Sequence, residues 1–437
     1  MTPTTTDLLG ELRWRGLISQ TTDEAGLSKL LHSGSQTVYI GFDPTASSLH
    51  VGSLMQLMLL RRFQRAGHRP IAVVGGATGM IGDPSGKSEE RNLLSAEQLQ
   101  ANIDGVAKQM RCFLDFDATN QAALLLNNFD WTKGYSYLEF LRDVGKSFPV
   151  GAMMGKESVR SRLNSDAGLS YTEFSYMLLQ AYDFVHLARA HGCRIQAGGS
   201  DQWGNITAGI ELGRRMSLPS LYGITAPLLT TSDGRKMGKT DSGAIWLDPD
   251  RTSPYAFYQY WITVDDADVM RCLAYLTEID HDEYDSLAQS TIDHPERRAA
   301  QQWLAKWMTE FVHGTSGLEA AQRATKILFG GEIGETSESE LLEIFADVPS
   351  ADVAESELDG DGYWIVHALQ SSGLCSSSGE ARRAIKENSV SLNNGRVTDE
   401  QTRIDRSDLS GRRVVVLRRG KRKYALLKFG VQTENET

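Results

Sequence analysis

The sequence has few of the features that mark secreted, membrane-spanning or metal-clustering proteins. Its 437 residues include four cysteines, which lie far apart and form no C-x-x-C pair. Isolated cysteines argue against a disulfide framework or a zinc site and indicate a reducing compartment. Residues 1–16 lack the apolar stretch of a secretory signal, and no apolar run approaches the length that spans a membrane. We therefore expect a soluble, cytoplasmic protein without a membrane partner.

Positive charge is scarce overall but concentrated near the C-terminus. The chain has 45 Lys and Arg against 56 Asp and Glu, and its net charge of -11 argues against a protein that coats nucleic acid along its length. Residues 331–360 hold ten acidic side chains and no Lys or Arg, whereas residues 376–430 hold fourteen basic and six acidic side chains. This contrast predicts an acidic linker or solvated helix, followed by a basic face that can bind an RNA backbone.

The stretch from residue 38 to residue 60 predicts a ligand site. Residues 38–40 favour a strand, residues 41–44 a turn, and residues 54–60, mostly Leu and Met, a helix. A strand, a turn and a helix N-terminus offer free N–H groups and a positive dipole end to an anion. Thr45 and His50 can add side-chain donors. These residue types support a nucleotide or phosphate ester, and a helix-start histidine without a ligand is an equally good reading of the stretch alone.

The remaining pattern predicts a doubly wound α/β sheet. Further strands are expected over residues 71–74, 124–126 and 195–197, and helices over the four segments 8–34, 54–66, 131–144 and 171–189. The strands before Asp83 and Asp201 run into glycine-rich loops, and ligands of such sheets bind at the carboxyl ends of strands. By itself the local sequence favours a turn role for Asp83.

Two other groups of residues are candidates for a polar pocket. Tyr176, Gln180 and Asp183 share one face of the helix predicted over 171–189, which either faces solvent or lines such a pocket. Lys236 and Lys239 lie on a loop after a turn and could bind a polyphosphate. In isolation, a loop with two lysines at this spacing is usually just solvated.

Taken together, these segments resemble the class I aminoacyl-tRNA synthetases, and most closely the bacterial-type tyrosyl-tRNA synthetases. The resemblance covers nearly all of residues 30–430. Residues 50–53 resemble the first signature of the class, and residues 236–240, here called the lysine loop, resemble the second. Ser53 replaces the second histidine of the first signature, and we expect altered affinity without lost function. Gly238 and Thr240 replace the two serines of the lysine loop; Gly238 is expected to keep it flexible and Thr240 keeps a hydroxyl.

The resemblance implies a Rossmann-like doubly wound parallel sheet, followed by a helical domain and a small α+β domain that resembles the S4-like RNA-binding module. The implied segments are a catalytic domain (1–248), a helical anticodon-side domain (249–330), the acidic linker (331–360) and the S4-like domain (361–437). Within the last, we expect a capped helix over residues 376–386 and a hairpin over residues 390–397 that turns at Asn394 and Gly395. The expected RNA contacts are Arg382, Arg383 and Lys386.

The resemblance also implies the reaction. L-tyrosine would be activated with ATP to tyrosyl-adenylate and then transferred to the 3′ end of tRNA(Tyr), with release of pyrophosphate and AMP. The tyrosine carboxylate is ionised at pH 7, so the first step needs no general base and depends on positioning and charge stabilisation. Mg²⁺ is expected on the ATP phosphates instead of in a protein cage. The family is homodimeric, and we carry this expectation over.

Residue roles follow from the same resemblance. The phenol hydroxyl of tyrosine would meet Tyr39 and Asp183, so phenylalanine would leave both unpaired. The other expected tyrosine-binding residues are Asp83, Tyr176, Gln180 and Gln202. The expected catalytic residues are Thr45, His50, Lys87, Arg91, Lys236 and Lys239, of which Lys87 and Arg91 would act late on pyrophosphate. The expected ATP- and adenylate-binding residues are Gly41, Asp43, Thr45, His50, Gly52, Ser53, Asp201, Lys236, Lys239 and Thr240.

Three other interpretations remain. A tryptophanyl-tRNA synthetase has the nearest fold, but Tyr39, Asp183 and the basic C-terminal module argue against it. Another nucleotidyltransferase that shares the first signature is disfavoured by the lysine loop and by the same module. An RNA-binding relative that lost catalysis is disfavoured by the intact lysines, although Ser53 leaves it open.

Overall fold

The computed structural model describes residues 7–83, 95–164, 168–240, 243–328, 333, 338–345, 348–410, 413–420 and 423–430. Lys87 and Arg91 lie outside the described residues. The chain divides into two compact units, Met1–Thr252 with Phe257–Val312, and Ser253–Ala256 with His313–Thr437. Within the described ranges, no helix combines the length and apolar character that crossing a membrane requires.

The helices and strands are as follows. The helices are α1 (Leu8–Trp14), α2 (Glu24–His32), α3 (Leu54–Arg65), α4 (Gly76–Ile81), α5 (Ala96–Met110), α6 (Phe129–Thr132), α7 (Tyr137–Asp143), α8 (Val150–Met154), α9 (Glu157–Leu163), α10 (Tyr171–His191), α11 (Trp203–Arg215), α12 (Pro254–Ile262), α13 (Asp266–Leu276), α14 (His281–Asp293), α15 (Ala299–Leu328), α16 (Glu338–Ile344), α17 (Ile365–Ser371) and α18 (Ser378–Lys386). The strands are β1 (Gln20–Thr21), β2 (Thr37–Phe42), β3 (Arg69–Val74), β4 (Leu124–Asn127), β5 (Cys193–Gly199), β6 (Tyr222–Ala226), β7 (Lys239–Thr240), β8 (Gly243–Ala244), β9 (Ser350–Ala354), β10 (Tyr363–Trp364), β11 (Val390–Leu392), β12 (Gly395–Arg396), β13 (Arg403–Ile404), β14 (Val414–Arg419) and β15 (Lys423–Gly430).

The first unit is built on a sheet with the strand order β1-β6-β5-β2-β3-β4. All neighbours pair in parallel except β1, which is antiparallel to β6. From β2 the chain moves outward through β3 and β4, and then returns to β5 on the other side of β2. The carboxyl ends of β2 and β5 therefore flank a topological switch point, where doubly wound sheets bind ligands. The predicted fold class is confirmed.

Apolar runs form the centre of this sheet, as their composition predicts. Residues 71–74 of β3 are at most 2% exposed, because helices cover both faces of a parallel sheet. Helix α3 packs beneath the sheet through Leu54, Met55 and Leu57, each at most 1% exposed. This burial fixes the helix that follows the first signature.

Three predicted segments differ in the structure. Residues 8–34 form two helices separated by β1. Residues 131–144 are broken, because Ser136 caps α7 in a reciprocal capping box with Glu139. The glycine-rich segment after β3 begins as the short helix α4 and not as a loop. The capping box at Ser136 explains the break within residues 131–144, and close packing around Gly75 and Gly76 accompanies the start of α4.

The second unit contains a sheet with the order β12-β11-β14-β15-β9, in which β9 is parallel to β15. Helices α17 and α18 pack on one face against residues such as Val415, Leu417 and Leu427. Leu341 and Phe345, in and just after α16, pack with Val416 and Leu426 on the other. The segment 331–360 thus contributes α16 and β9 to this unit. Helices α17 and α18 and the sheet match the expected small α+β domain.

The predicted hairpin is present, but its turn is one residue earlier than expected. Leu392 pairs with Gly395, so Asn393 and Asn394 are the two turn residues, with φ of 46° and 65°. Asparagine tolerates positive φ, as a two-residue hairpin turn requires. The side chain of Asn393 also accepts a bond of 2.9 Å from the backbone N–H of Val416, which anchors the turn to β14.

Candidate active site

A cavity of about 280 Å³ lies at the carboxyl ends of the central strands of the first unit. It brings together residues that are up to 197 positions apart, from Tyr39 to Lys236. Fourteen of the predicted site residues line it: Tyr39, Gly41, Asp43, Thr45, His50, Gly52, Ser53, Asp83, Tyr176, Gln180, Asp183, Asp201, Gln202 and Lys236. Lys239 and Thr240 are not in the lining and belong to β7. The helix face of Tyr176, Gln180 and Asp183 therefore lines a polar pocket and does not face solvent.

The buried end of the cavity holds Tyr39 and Asp183. Tyr39 is 1% exposed, and its hydroxyl has no hydrogen-bond partner among the described residues. Burial, the Asp183 charge and the nearby Cys193 raise the pKa of Tyr39, so it stays protonated. An unsatisfied buried hydroxyl is costly, and a ligand hydroxyl placed here would remove that cost.

Asp183 is held by two donors that sequence reasoning missed. Trp131 Nε1 donates to Asp183 Oδ1 over 2.8 Å, and Asn128 Nδ2 donates to Oδ2 over 3.0 Å. Burial raises the pKa of Asp183 to about 7, although both hydrogen bonds oppose the rise, and the charge of Asp43 adds to it. The carboxylate is fixed in position and can still accept a bond from a phenol. The signal for Asn128 was its place directly after the third strand.

A hydrogen-bonded chain connects Asp183 to Asp43. Asn128 Nδ2 also donates to Thr78 Oγ1 over 3.0 Å, and Thr78 donates to Asp43 Oδ1 over 3.1 Å. The hydroxyl of Tyr176 donates to Asp43 Oδ2 over 3.4 Å. Asp43, Tyr176 and Asp183, which the family resemblance placed in one site, are therefore within one polar network.

A second set surrounds Gln202. Gln202 Nε2 donates to Asp83 Oδ2 over 2.7 Å, and Gln202 Oε1 accepts from Gln180 over 3.3 Å and from Asn205 over 3.1 Å. Asp83 is thus a site residue and not only a turn residue. Burial and the charge of Asp83 raise the pKa of Asp201, and Lys236 acts in the opposite direction. Carboxylates at this edge of the cavity suit a cationic amine or neutral hydroxyls.

His50 is held by the turn that follows it. Its Nδ1 accepts a bond of 2.9 Å from the backbone N–H of Gly52, so the proton of a neutral ring lies on Nε2. A Cβ on Gly52 would lie 2.6 Å from His50 Cε1, which explains the glycine. The ring also contacts Trp246 edge to face, with centroids 6.0 Å apart. His50 is therefore positioned as a donor at the N-terminal end of α3.

Backbone hydrogen bonds join the lysine loop to the first signature. The N–H of Ile245 donates to Gly238 O over 2.9 Å, and the N–H of Val51 donates to Ile245 O over 2.9 Å. Residue 236 pairs with Thr230, and the side chain of Lys236 reaches the cavity. The two cationic or donor-rich segments, which lie far apart in the sequence, therefore form one wall. Within the described ranges, no group of three or more His, Cys, Asp or Glu side chains could hold a metal ion.

In the second unit, the predicted RNA contacts lie on α18. The guanidinium of Arg382 is 5.3 Å from the ring centre of Trp364, and that of Arg403 is 5.8 Å from the same ring. The Lys386 side chain is 74% exposed and lies 4.0 Å from a Glu400 carboxylate oxygen. Trp364 and Arg403, which the sequence analysis did not single out, lie close to this helix.

Comparison with known proteins identifies the family. A model of the class I tRNA synthetases for tryptophan and tyrosine matches residues 32–330, and a model of the C-terminal domain of tyrosine–tRNA ligases matches residues 340–427. A tyrosine–tRNA ligase of Rhodopirellula baltica is 74% identical over 425 residues, 97% of this chain and 97% of that protein. A second, of Roseiflexus castenholzii, is 51% identical over 97% of this chain and 100% of its own length.

A solved structure supports the same family. A C-terminally truncated mitochondrial tyrosyl-tRNA synthetase of Aspergillus nidulans is 30% identical, with a TM-score of 0.67 over 75% of this chain and 95% of that chain. The family matches cover the sheet that builds the cavity and the C-terminal sheet. The chain therefore belongs to the class I tRNA synthetase family, and within it to the tyrosine–tRNA ligases.

Proposed function

We propose that the cavity activates L-tyrosine with ATP, and that the tyrosyl group is then transferred to the 3′ end of tRNA(Tyr). The observation that carries this proposal is the pair at the buried end, the unpartnered Tyr39 hydroxyl beside the Asp183 carboxylate. A phenol hydroxyl can donate to Asp183 and accept from Tyr39 at once. The names of the relatives in Rhodopirellula and Roseiflexus support the same substrate.

The substrate ammonium then lies toward Asp83, Tyr176 and Gln180. Asp83 supplies negative charge, and Gln180 supplies an amide oxygen that is buried and lacks a partner in the described part of the chain. A protonated amine satisfies such acceptors, since it carries three donors and no acceptor. Gln202 is hydrogen-bonded to both Asp83 and Gln180, and it lies between the ammonium and the carboxylate of the substrate in this proposal.

ATP occupies the wall made by the two signatures. Thr45 and His50 meet the γ-phosphate end, Lys236 and Lys239 neutralise the departing pyrophosphate, and Asp201 binds the ribose. Gly41, Asp43, Gly52, Ser53 and Thr240 complete the nucleotide contacts, and Lys87 and Arg91 act late on pyrophosphate. Because the carboxylates of the cavity are spread out and hydrogen-bonded, Mg²⁺ fits as a companion of the ATP phosphates, where it would offset their charge.

The first step then proceeds without a general base. The ionised tyrosine carboxylate attacks the α-phosphorus of ATP, the bond to the bridging oxygen breaks, and pyrophosphate leaves with the electron pair. At the tyrosine end, the protein holds the substrate carboxylate in position for attack. At the pyrophosphate end, it supplies positive charge and N–H donors that stabilise the leaving group. In the second step a terminal ribose hydroxyl of tRNA attacks the tyrosyl carbonyl carbon, and AMP leaves.

The second unit supplies RNA contacts in this proposal. Exposed Arg382, Arg383 and Lys386 bind backbone phosphates, and the guanidinium groups of Arg382 and Arg403 near the Trp364 ring add positive charge beside them. The proposed division is a catalytic segment at 1–248, a helical segment at 249–330 and an RNA-binding segment at 361–437, and the acidic segment 331–360 accompanies the last, because its α16 and β9 pack in the same unit. We place the activity in the cytoplasm.

A homodimer is also proposed. The helices of residues 129–171 expose large apolar side chains, among them Leu138 at 76%, Tyr137 at 64% and Tyr171 at 63%. The hydroxyls of Tyr137 and Tyr171 are 3.4 Å apart, so these two side chains form one patch, and Leu138 is the next residue of α7 after Tyr137. Exposed apolar patches of this kind mark protein interfaces. Replacing Leu138 with Glu should shift the sedimentation coefficient from a dimer to a monomer.

The decisive experiment is amino-acid-dependent exchange of pyrophosphate into ATP. Tyrosine should support exchange, whereas tryptophan and phenylalanine should support little, because neither offers a phenol hydroxyl to Tyr39 and Asp183. Exchange with tryptophan alone would establish the tryptophanyl alternative. Absence of exchange with any amino acid, together with retained tRNA binding, would establish an RNA-binding relative without catalysis.

A further inference from the structure

Helices α12 and α13 contact the lysine loop, and sequence reasoning gave their residues no part in the reaction. We propose that Arg271 of α13 and Tyr260 of α12 are positioning residues, which hold Lys236 at the pyrophosphate end of the cavity. This inference rests on the proposed function, because both residues would act through Lys236 in that reaction.

Lys236 lies on a short hairpin that begins before the lysine loop. Thr230 and Lys236 pair as an antiparallel bridge, and the backbone N–H of Met237 donates to Leu229 O over 2.9 Å. The side chain of Lys236 lines the cavity. Because the two strands of the hairpin are bonded to each other, a displacement of Thr230 would move Lys236 with it.

Arg271 holds the strand of the hairpin that lies opposite Lys236. Its Nη2 donates to Thr230 O over 2.7 Å, and the same nitrogen donates to Asp268 Oδ1 over 2.5 Å. The Asp268 side chain is 2% exposed and lies one helical turn before Arg271, so the guanidinium is fixed on its own helix. A hydrogen bond from a charged donor is stronger than a neutral one, and it therefore resists displacement of Thr230.

The segment that follows Lys236 is held by the same two helices. Cys272 Sγ lies 3.7 Å from Met237 Sδ, and both side chains are buried. Burial raises the pKa of Cys272 to about 12, so this contact is made by a neutral thiol. The backbone N–H of Gly238 donates to the hydroxyl of Tyr260 over 2.8 Å. Contacts to α12 and α13 therefore hold the hairpin on both sides of Lys236.

The test measures single-turnover formation of tyrosyl-adenylate in the absence of tRNA, with saturating ATP and tyrosine. Arg271→Met keeps the length of the side chain and removes the guanidinium. We expect the rate constant to fall about tenfold, the order of one hydrogen bond to a charged group, while the Kd for tyrosine stays the same. In a Lys236→Met background, the same substitution should lower the rate less than about twofold, because residues that act through one another are not additive.

Equal losses in the two backgrounds would overturn the proposal, because Arg271 would then support the fold and not the position of Lys236. An unchanged rate when only Arg271 is replaced would overturn it as well. Arg214→Met is the matched control and should leave the rate and the Kd unchanged. Arg214 pairs with Glu211 three positions earlier, the spacing of Asp268 and Arg271, and its described hydrogen bonds stay within α11.

Tyr260→Phe provides the same test if Arg271→Met does not fold, since it removes a single hydroxyl. It should lower the rate in the wild-type background and have no further effect in the Lys236→Met background. Equal losses in both backgrounds, or no loss in either, would overturn the proposal. Failure of the proposed function is a separate outcome, seen as no adenylate formation with tyrosine in the wild-type protein.

Discussion

The backbone N–H of Gly238 donates a hydrogen bond of 2.8 Å to the hydroxyl of Tyr260, and this bond holds the lysine loop against α12. Gly238 has φ of 79°, and a Cβ on it would lie 2.7 Å from the Cβ of Val51 in the first signature. A serine, which the family signature has here, could not occupy this backbone conformation without a shift. The structure therefore gives Gly238 a role that the sequence did not indicate, the close contact between the two signatures.

The first prediction tests that contact. Gly238→Ala should raise the KM for ATP about tenfold or more, because the new Cβ pushes the lysine loop away from Val51. Gly234→Ala is the matched control, since Gly234 also has positive φ, 85°, but a Cβ added there would have nothing within 4 Å. Pyrophosphate exchange measures both variants. Similar losses in the two would mean that backbone strain alone, without the contact to Val51, accounts for the effect.

The second prediction concerns Tyr39. Its hydroxyl has no partner in the described structure, so Tyr39→Phe should leave the unfolding midpoint unchanged or slightly raised. The same variant should lower kcat/KM for tyrosine about two- to tenfold, and discrimination against phenylalanine should narrow by the same factor. Thermal unfolding and exchange with both amino acids provide the measurements. A large loss of stability with unchanged discrimination would remove Tyr39 from the tyrosine site.

The third prediction concerns the pH dependence that Asp183 creates. Because its pKa is raised to about 7 by burial, the carboxylate that accepts the substrate phenol becomes protonated below neutral pH. The ratio of kcat/KM for tyrosine to that for phenylalanine should fall about tenfold per pH unit below 7. Trp131→Phe removes a donor that favours the charged form, so the fall should begin at higher pH. A ratio that is flat between pH 5 and 8 would contradict this role.

Asp183 also makes stability depend on pH. Its folded pKa lies above the ordinary value of 3.8, so the folded protein binds this proton more tightly than the unfolded chain does. The contribution of Asp183 to the free energy of unfolding is therefore highest below about pH 4 and is lost as pH rises to about 7. Asp183→Asn should flatten the measured stability profile across this window.

The fourth prediction concerns RNA binding by α18. Replacing Arg382 and Arg383 together by Ala should raise the KM for tRNA and make the salt dependence of binding shallower by about one unit for each phosphate interaction removed. Tyrosine activation should not change. Arg406→Ala is the control, because Arg406 is engaged by Glu355 and Asp359 within its own unit. If the double variant lost tyrosine activation to the same degree as tRNA binding, these arginines would support the fold instead of contacting RNA.

Much of the site was predictable because its residues follow local patterns. Residues 38–40, 71–74 and 195–197 are short segments that each end at a glycine, and all three became parallel strands of one sheet. Topology then requires that Asp43, Asp83 and Asp201 meet at the carboxyl edge. The face shared by Tyr176, Gln180 and Asp183 followed from helical spacing alone.

Other features had no local signal. Trp131 binds Asp183 across 52 positions, and nothing near Trp131 in the chain indicates that contact. Asn128 binds Asp183 across 55 positions, and its only signal was its place after the third strand. In the sequence, Gln56 is a single polar residue within the apolar run at 54–60. Only the fold brings its amide close to Gly199 and Asp201. The one-residue shift of the turn at Asn393 depends on its bond to β14.

The sequence by itself determined the class of the fold and the central strands of its sheet, since periodicity and strand-end loops are local properties of the chain, and the family resemblance supplied fourteen of the residues that line the cavity. Only the tertiary structure decided which donors hold Asp183, why residue 238 is glycine, and that the amide of Gln56 lies close to Gly199 and Asp201. These depend on distances between segments far apart in the chain, and such distances are set by packing of the whole core and not by the composition of either segment.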